Sequence, residues 1–159
     1  MKAKEKTNVM RVLDQKKIPY ESHTYEPDAT KSGEEIAKIL GEDPRKVFKT
    51  LVTRGKSGSY YVFVIPVEGE LDLKRAARVS GEKSIAMIKQ KELLPLTGYI
   101  HGGCSPIGMK KTFKTFIHQS FSNLDRIFVS GGRVGFQIEM APQDLVSFSG
   151  AEPADVVMD

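Results

Sequence analysis

The chain has a single cysteine, Cys104, among 159 residues. One thiol cannot close an internal disulfide, and an unpaired thiol suits a reducing compartment, so a cytoplasmic location is expected. Long apolar runs are also missing. The longest, Tyr60 to Val67 (YYVFVIPV), contains a proline and is far shorter than the ~20 residues that cross a bilayer, and no apolar stretch follows the lysines of Met1 to Lys6. The expectation is a soluble protein with no membrane partner and no export signal. No tract rich in Pro, Gly or Ser divides the chain and no repeat is visible, so a single domain over residues 1–159 is expected.

Several kinds of chemistry lack their residues. The histidines, His23, His101 and His118, form no pair at metal-ligand spacing, so neither a metal nor a cofactor is expected. No Gly-x-Ser-x-Gly nucleophile elbow occurs. Val129 to Gly135 (VSGGRVG) has glycines near the dinucleotide spacing, but Phe136 to Met140 (FQIEM) alternates like a strand and opens no helix, which excludes a Rossmann loop. A nucleophile built from Cys104 and His101 would need an orienting acid, and none lies nearby in sequence. A small buried thiol is the simpler reading.

What the chain does have is an uneven charge. Residues 72–114 hold 9 basic and 3 acidic side chains, whereas residues 115–159 hold 2 and 6. A basic middle attracts a polyanion by releasing its condensed counterions, although such an excess is also what a solvated face carries.

The apolar pattern predicts a helix from about Lys4 to Lys17, with Val9, Val12, Leu13 and the stem of Lys16 on one face, and then a strand near Tyr20 to Tyr25. Ser32 and Glu35 have capping-box spacing ahead of Ile36, Ile39 and Leu40, and Gly41 supplies the stop. Pro44 opens one further turn. Val47 to Thr53 and Tyr60 to Val67 are strand-like runs joined by Arg54 to Ser59 (RGKSGS), a hairpin at the centre of a sheet. Asp72 caps a helix reaching Val79, a strand comes next near Ser84 to Met87, and Lys89 to Leu94 supports a helical turn or two. Strands are expected at Tyr99 to Ile100, Thr115 to His118, Arg126 to Ser130 and Gly135 to Met140. Pro142 starts a last helix reaching Val146, and the tail after Gly150 is expected to be loosely held. Helices scattered among short strands without βαβ alternation point to an α+β fold with a mixed, strongly curved, barrel-like sheet surrounded by helices.

Two features could carry chemistry. Alternation places Lys49 among apolar neighbours, with Val47 and Leu51 on its own face of the strand and Phe48, Thr50 and Val52 on the other. It is either a side chain that snorkels to water or a fixed cation at a pocket floor. Gly98 to Gly108 (GYIHGGCSPIG) holds four glycines, which suits either a tight turn or an anion-binding nest made of the Gly102, Gly103 and Cys104 amides. Ser130 either bonds its own turn or faces the same pocket.

Five blocks taken in order, KKIPYESHTY (16–25), VFKTLV (47–52), PVEGELDLK (66–74), TGYIHGGCSPIGMKK (97–111) and VSGGRVGFQIEMAPQDL (129–145), resemble the YbaK/EbsC family of aminoacyl-tRNA deacylases, related to the editing insertion of bacterial prolyl-tRNA synthetases. The resemblance implies that Lys49 is the main functional residue, that Gly102 and its neighbour Gly103 line the site through their backbone, and that Tyr25 and Ser130 lie close by. It also implies the partners, namely aminoacyl-tRNA, in particular tRNA(Pro) with its 3′-terminal adenosine, and a prolyl-tRNA synthetase, with no role for DNA. For cysteine-clearing members it implies that the thiol of the esterified cysteine attacks its own carbonyl. Gln137 departs from the aspartate common at that place, and Lys31 and Ser32 fall in a stretch where other members differ, so the substrate-binding wall is expected to be this chain's own. The alternatives are a deacylase for alanine on tRNA(Pro) that uses activated water, and a tRNA-binding or synthetase-docking module without activity.

Overall fold

A computed structural model describes residues 6–159. Helix α1 runs Asn8–Gln15 with Thr7 as its cap, the threonine hydroxyl accepting from the Met10 amide. Its expected start at Lys4 lies outside the described residues. The helix ends before Pro19, because Lys17 takes a left-handed conformation at φ 58° and the Ile18 amide returns to the Leu13 carbonyl. Met10 rather than the Lys16 stem joins Val9 and Leu13 in the core. Strand β1 (Glu21–Thr24) leads to α2 (Gly33–Leu40), whose capping box forms with both of its hydrogen bonds, and which Gly41 ends at φ 72°. Ile36 and Ala37 are the buried positions of α2, and Ile39, expected on the apolar face, is exposed.

The hairpin β2 (Phe48–Gly55) and β3 (Tyr60–Pro66) forms as expected and sits at the centre of a sheet. Asp72 caps α3 (Leu73–Ser80), β4 (Ile85–Met87) pairs with β2, and α4 spans Gln90–Thr97. Strands β5 (Lys114–His118), β6 (Ile127–Ser130) and β7 (Phe136–Met140) come after it, then α5 (Pro142–Ser149), entered through its proline.

The α+β class holds, but the strongly curved, barrel-like sheet does not. A last strand, β8 (Glu152–Ala154), completes the set. The strands divide into a mixed sheet ordered β4-β2-β3-β5-β8 and an antiparallel sheet ordered β1-β7-β6, and among the described residues neither closes on itself. The two meet at a parallel bridge between Val47 and Phe128. Strand β3 contributes to two cores. Its Val62 and Val64 enter the main core, which also takes in α1, β6 and β7, while Phe63 and Ile65 pack into a second core with Ala76 and Ala77 of α3. β3 is thus covered on both faces, but what keeps the sheets open is pairing: β1 and β6 are the edges of one sheet and β4 and β8 of the other, and among the described residues only the Val47–Phe128 bridge joins them.

Two further expectations fail. Tyr99 and Ile100 form no strand; Tyr99 is buried, and its hydroxyl donates to the Ile107 carbonyl at 2.5 Å, tying together the two ends of the glycine-rich loop. The tail is not loose. Strand β8 lies parallel to β5, and Arg75 holds the residues after it by donating to the Val157 carbonyl at 2.6 Å and pairing with Asp155 and Asp159. No helix among the described residues is long and apolar enough to cross a membrane.

Candidate functional site

Where the β2–β3 hairpin, the start of α2, the glycine-rich loop and the β6–β7 pair converge, they enclose a cavity of about 230 Å³. That is somewhat below the roughly 300–1,000 Å³ of sites that hold drug-sized ligands, so it fits a small group. Lys31, Ser32 and Gly33 at the start of α2, Lys49 and Thr50 of β2, His101, Gly102 and Cys104 of the glycine-rich loop, and Ser130 with Gln137 of β6 and β7 line it. The sequence spreads these residues over more than a hundred positions. Strand register brings the last two together, since Ser130 and Gln137 are direct cross-strand partners and so share a face.

Lys49 is half-buried. Its Nζ donates to the Val67 carbonyl at a long 3.5 Å. Burial pushes its pKa below the usual lysine value, opposed by the carboxylates of Glu34 and Glu70. The residue stands between the cavity and a second cleft lined by Glu34, Glu68, Glu70 and Asp159. It is therefore a cation with weak internal satisfaction, able to turn its charge toward a bound group.

Gly102 occupies the third position of a turn closed by the Gly103 amide donating to the Ile100 carbonyl at 2.9 Å. That position in a type II turn needs positive φ, and Gly102 has φ 88°. A β-carbon there would also meet Val134 Cγ2 at 3.3 Å and Ala29 Cα at 3.4 Å. Both the conformation and the space demand glycine, which leaves its main chain open to the cavity. Among the described residues, the Gly102 and Cys104 amides have no hydrogen-bond acceptor. The expected nest of three amides is therefore reduced to two, because Gly103 spends its N–H on closing the turn. Gly103 sits behind the rim and does not line the cavity; a β-carbon there would lie 3.1–3.2 Å from the backbone of Arg133 and Val134, so it is a packing glycine.

Ser130 does both things asked of it, accepting from the Gly132 amide at 3.2 Å and bordering the cavity. Lys31, Ser32 and Gln137 also lie on the wall. Tyr25 does not, although its hydroxyl is buried and has no hydrogen-bond partner among the described residues. Its amide bonds the Gly135 carbonyl at 2.9 Å, which places it behind the β6–β7 turn. Cys104 borders the cavity, but burial pushes its thiol up to about 12, with a Thr97 hydrogen bond acting the other way. A thiol so protonated is no nucleophile at neutral pH.

Sequence reasoning did not single out Thr50. Its Oγ1 and the Oε1 of Gln137 are buried, belong to residues that line the cavity, and have no hydrogen-bond partner among the described residues. An unsatisfied buried polar atom costs about 1–3 kcal/mol, and a ligand that hydrogen-bonds both would recover that cost. The available signal was a hydroxyl on the face of β2 that also carries Phe48 and Val52. One grouping of potential metal ligands occurs among the described residues, Glu21, His23 and Glu139 on β1 and β7, away from the cavity. There the His23 ring and Glu139 already pair at 2.8 Å.

Comparison with known proteins adds independent findings. A family model described as the aminoacyl-tRNA editing domain matches residues 26–148. A protein of Enterococcus faecalis named as a Cys-tRNA(Pro)/Cys-tRNA(Cys) deacylase, EbsC, is 42% identical across 98% of this chain and 95% of its own length. A proline tRNA ligase of Fervidobacterium nodosum is 26% identical over 99 residues, which cover 62% of this chain and 17% of the ligase. A crystal structure described as a trans-editing enzyme for prolyl-tRNA synthetase superposes with a TM-score of 0.82 at 23% identity and 95% coverage of both chains, a likeness of fold.

Proposed function

The chain belongs to the aminoacyl-tRNA editing domain family, and from that premise we propose that it is a trans-acting deacylase that removes cysteine wrongly attached to tRNA(Pro). Aminoacyl-tRNA deacylation is the activity of the family; the amino acid, the tRNA and the roles of individual residues are our reading. One observation carries it: a half-buried cation, Lys49, shares a small cavity with the open main chain of Gly102, beside a thiol too protonated to attack.

The substrate supplies the nucleophile. The sulfur of the esterified cysteine attacks its own carbonyl carbon, the C–S bond forms as the ester C–O bond breaks, and the 3′-terminal ribose oxygen leaves with the electron pair and takes up a proton. The products are free tRNA and a cyclic thiolactone. The Gly102 and Cys104 amides face the developing oxyanion, Lys49 stabilises negative charge on the ester or the terminal nucleotide, and Thr50, Ser130 and Gln137 orient the aminoacyl group. Fixed dipoles and a positioned reactant supply most of a barrier reduction when no new reactive atom is needed. The reaction belongs to the cytoplasm and to one domain spanning residues 1–159, with prolyl-tRNA synthetase as the source of the mischarged tRNA.

A second reading has one observation in its favour. His101 is exposed on the cavity rim, where an imidazole can activate water, and a water-using route would clear alanine, which has no thiol. Deacylation of a panel of mischarged tRNAs separates the two. Release of cysteine with alanine retained supports the first reading, and release of alanine from tRNA(Pro) with cysteinyl-tRNA left intact refutes it. Lys49→Ala is expected to abolish turnover while tRNA affinity changes little; a binding module without activity would have no turnover to lose.

A further inference from the structure

The surroundings of the cavity are electrically one-sided. Residues 83–114, which include α4 and the glycine-rich loop, contain six lysines and one acid, Glu92. Lys89 immediately precedes the first turn of α4 and Lys91 lies in that turn, both exposed. At the other end the Lys110 amide bonds the Thr97 carbonyl at 2.8 Å, which sets Lys110 and its exposed neighbour Lys111 beside the helix C-terminus. An eight-residue helix is about 12 Å long, so the two lysine pairs stand about that far apart, one at each end of the exposed ridge that α4 forms. Leu94 on the helix and Ile100 just beyond it are 53% and 54% exposed. They are apolar surface left uncovered between the two basic ends. The inner side of the same segment faces the cavity through Leu93, His101 and Gly102. Past Lys49 the sign reverses, because the adjoining cleft is lined by carboxylates.

Not every cation of the basic stretch belongs to this ridge. Arg75 is engaged with Asp72, Asp155 and Asp159, and Lys114 pairs with Glu152. Lys74 and Arg78 are exposed on α3, which packs on the second core.

We propose that the outer ridge of α4 is the docking surface for the RNA strand that carries the acyl group: Lys89 and Lys91 at one end and Lys110 and Lys111 at the other hold its phosphates, and Leu94 with Ile100 supports its bases. This rests on the editing reading and deepens it. The polyanion approaches over α4, its acylated end enters the cavity beside Gly102, and the acidic cleft repels any path from the far side, so the strand has one direction of entry. Phosphate contacts of this kind carry affinity and register without reading sequence.

The test compares two substrates, a full-length aminoacyl-tRNA and the same amino acid esterified to adenosine alone, for the intact protein and for K89E/K91E, K110E/K111E and the control K74E/R78E. Each ridge variant is expected to lose at least about tenfold in kcat/KM on the tRNA. The slope of log(kcat/KM) against log[salt] is expected to shrink by about 0.7–0.9 for each phosphate contact removed. The adenosine ester, which does not reach the ridge, should be cleaved at the unaltered rate by every variant, and K74E/R78E should behave as the intact protein on both substrates. The proposal is overturned if the ridge variants keep their tRNA rate and salt slope, if they lose the adenosine ester equally, or if the control loses as much as they do. Should the intact protein release no amino acid from any RNA, the editing reading fails, while the affinity of the same variants for uncharged tRNA still decides the ridge: weaker binding for ridge variants alone supports it, and unchanged binding overturns it.

Discussion

Thr50→Val replaces a buried hydroxyl by a methyl of nearly the same shape. In the free protein Oγ1 of Thr50 is out of solvent and has no hydrogen-bond partner among the described residues, so the folded state bears a desolvation cost of about 1–3 kcal/mol that valine does not. The backbone tolerates the exchange, because valine and threonine are both β-branched residues favoured in strands such as β2. The variant should therefore be more stable by about 1–3 kcal/mol. For a domain of this size that is a rise in Tm of roughly 2–4 °C per kcal/mol, readable by calorimetry. Activity should move the opposite way. If the hydroxyl meets the aminoacyl group, kcat/KM should fall by about one to two powers of ten, since 1.4 kcal/mol corresponds to a factor of ten. A gain in stability with a loss of activity is the signature of a binding atom left unsatisfied for its ligand. The reasoning is refuted if Thr50→Val is destabilised, which would mean that the hydroxyl has a partner, or if it is stabilised with deacylation intact.

Gly102→Ala should cost about two to three powers of ten in kcat, as the loss of one oxyanion donor does, because a non-glycine residue at φ 88° cannot keep the turn without displacing Val134 or Ala29; single-turnover deacylation measures it. Cys104→Ala should keep deacylation within about twofold, since a thiol held near 12 takes no part in the chemistry. Phe63→Ala should destabilise by about 3–5 kcal/mol in denaturant melts, because the ring is fully buried and stacked on Phe116 at 5.3 Å. The tail should depend on pH through His118, whose Nδ1 accepts from the Val156 amide at 3.3 Å and whose pKa burial holds below the usual value. A group with a depressed folded pKa contributes its stability above its unfolded pKa, near 6.5, and loses it as the pH falls from there toward the folded value. Hydrogen exchange at Val156 should accordingly be faster at pH 5.5 than at 7.5 after correction for intrinsic rates, and His118→Gln should remove the difference.

Local signals in the sequence proved legible where the cause is local. Ser32 with Glu35, Asp72 ahead of α3, Pro142 at the start of α5 and the glycine-containing turn between β2 and β3 each specify an element through hydrogen bonds or dihedral angles within a few residues. The anomaly at Lys49 was visible for the same reason, since strand alternation alone sets a cation among apolar neighbours. What the sequence could not show depends on distant partners. Residues Glu152–Ala154 become a strand only because β5 offers an edge, and Arg75 fixes the tail from about eighty residues away. Two sheets instead of one closed sheet result from which strands pair, which no single segment encodes. At the site, Gly103 looked like Gly102 by composition, and only the hydrogen bond to Ile100 shows that its amide is spent. Thr50 passed as an ordinary strand residue because the lack of a partner is a property of the folded cavity.

The central claim is that the amino acid being removed brings its own nucleophile. The most direct measurement is the single-turnover release of cysteine and of serine from the same tRNA, since the two differ only in sulfur against oxygen and fit the cavity alike. Rapid release of cysteine, with serine retained at the uncatalysed rate, is the predicted result. Serine released as fast as cysteine would contradict it, because the protein would then be activating a nucleophile of its own.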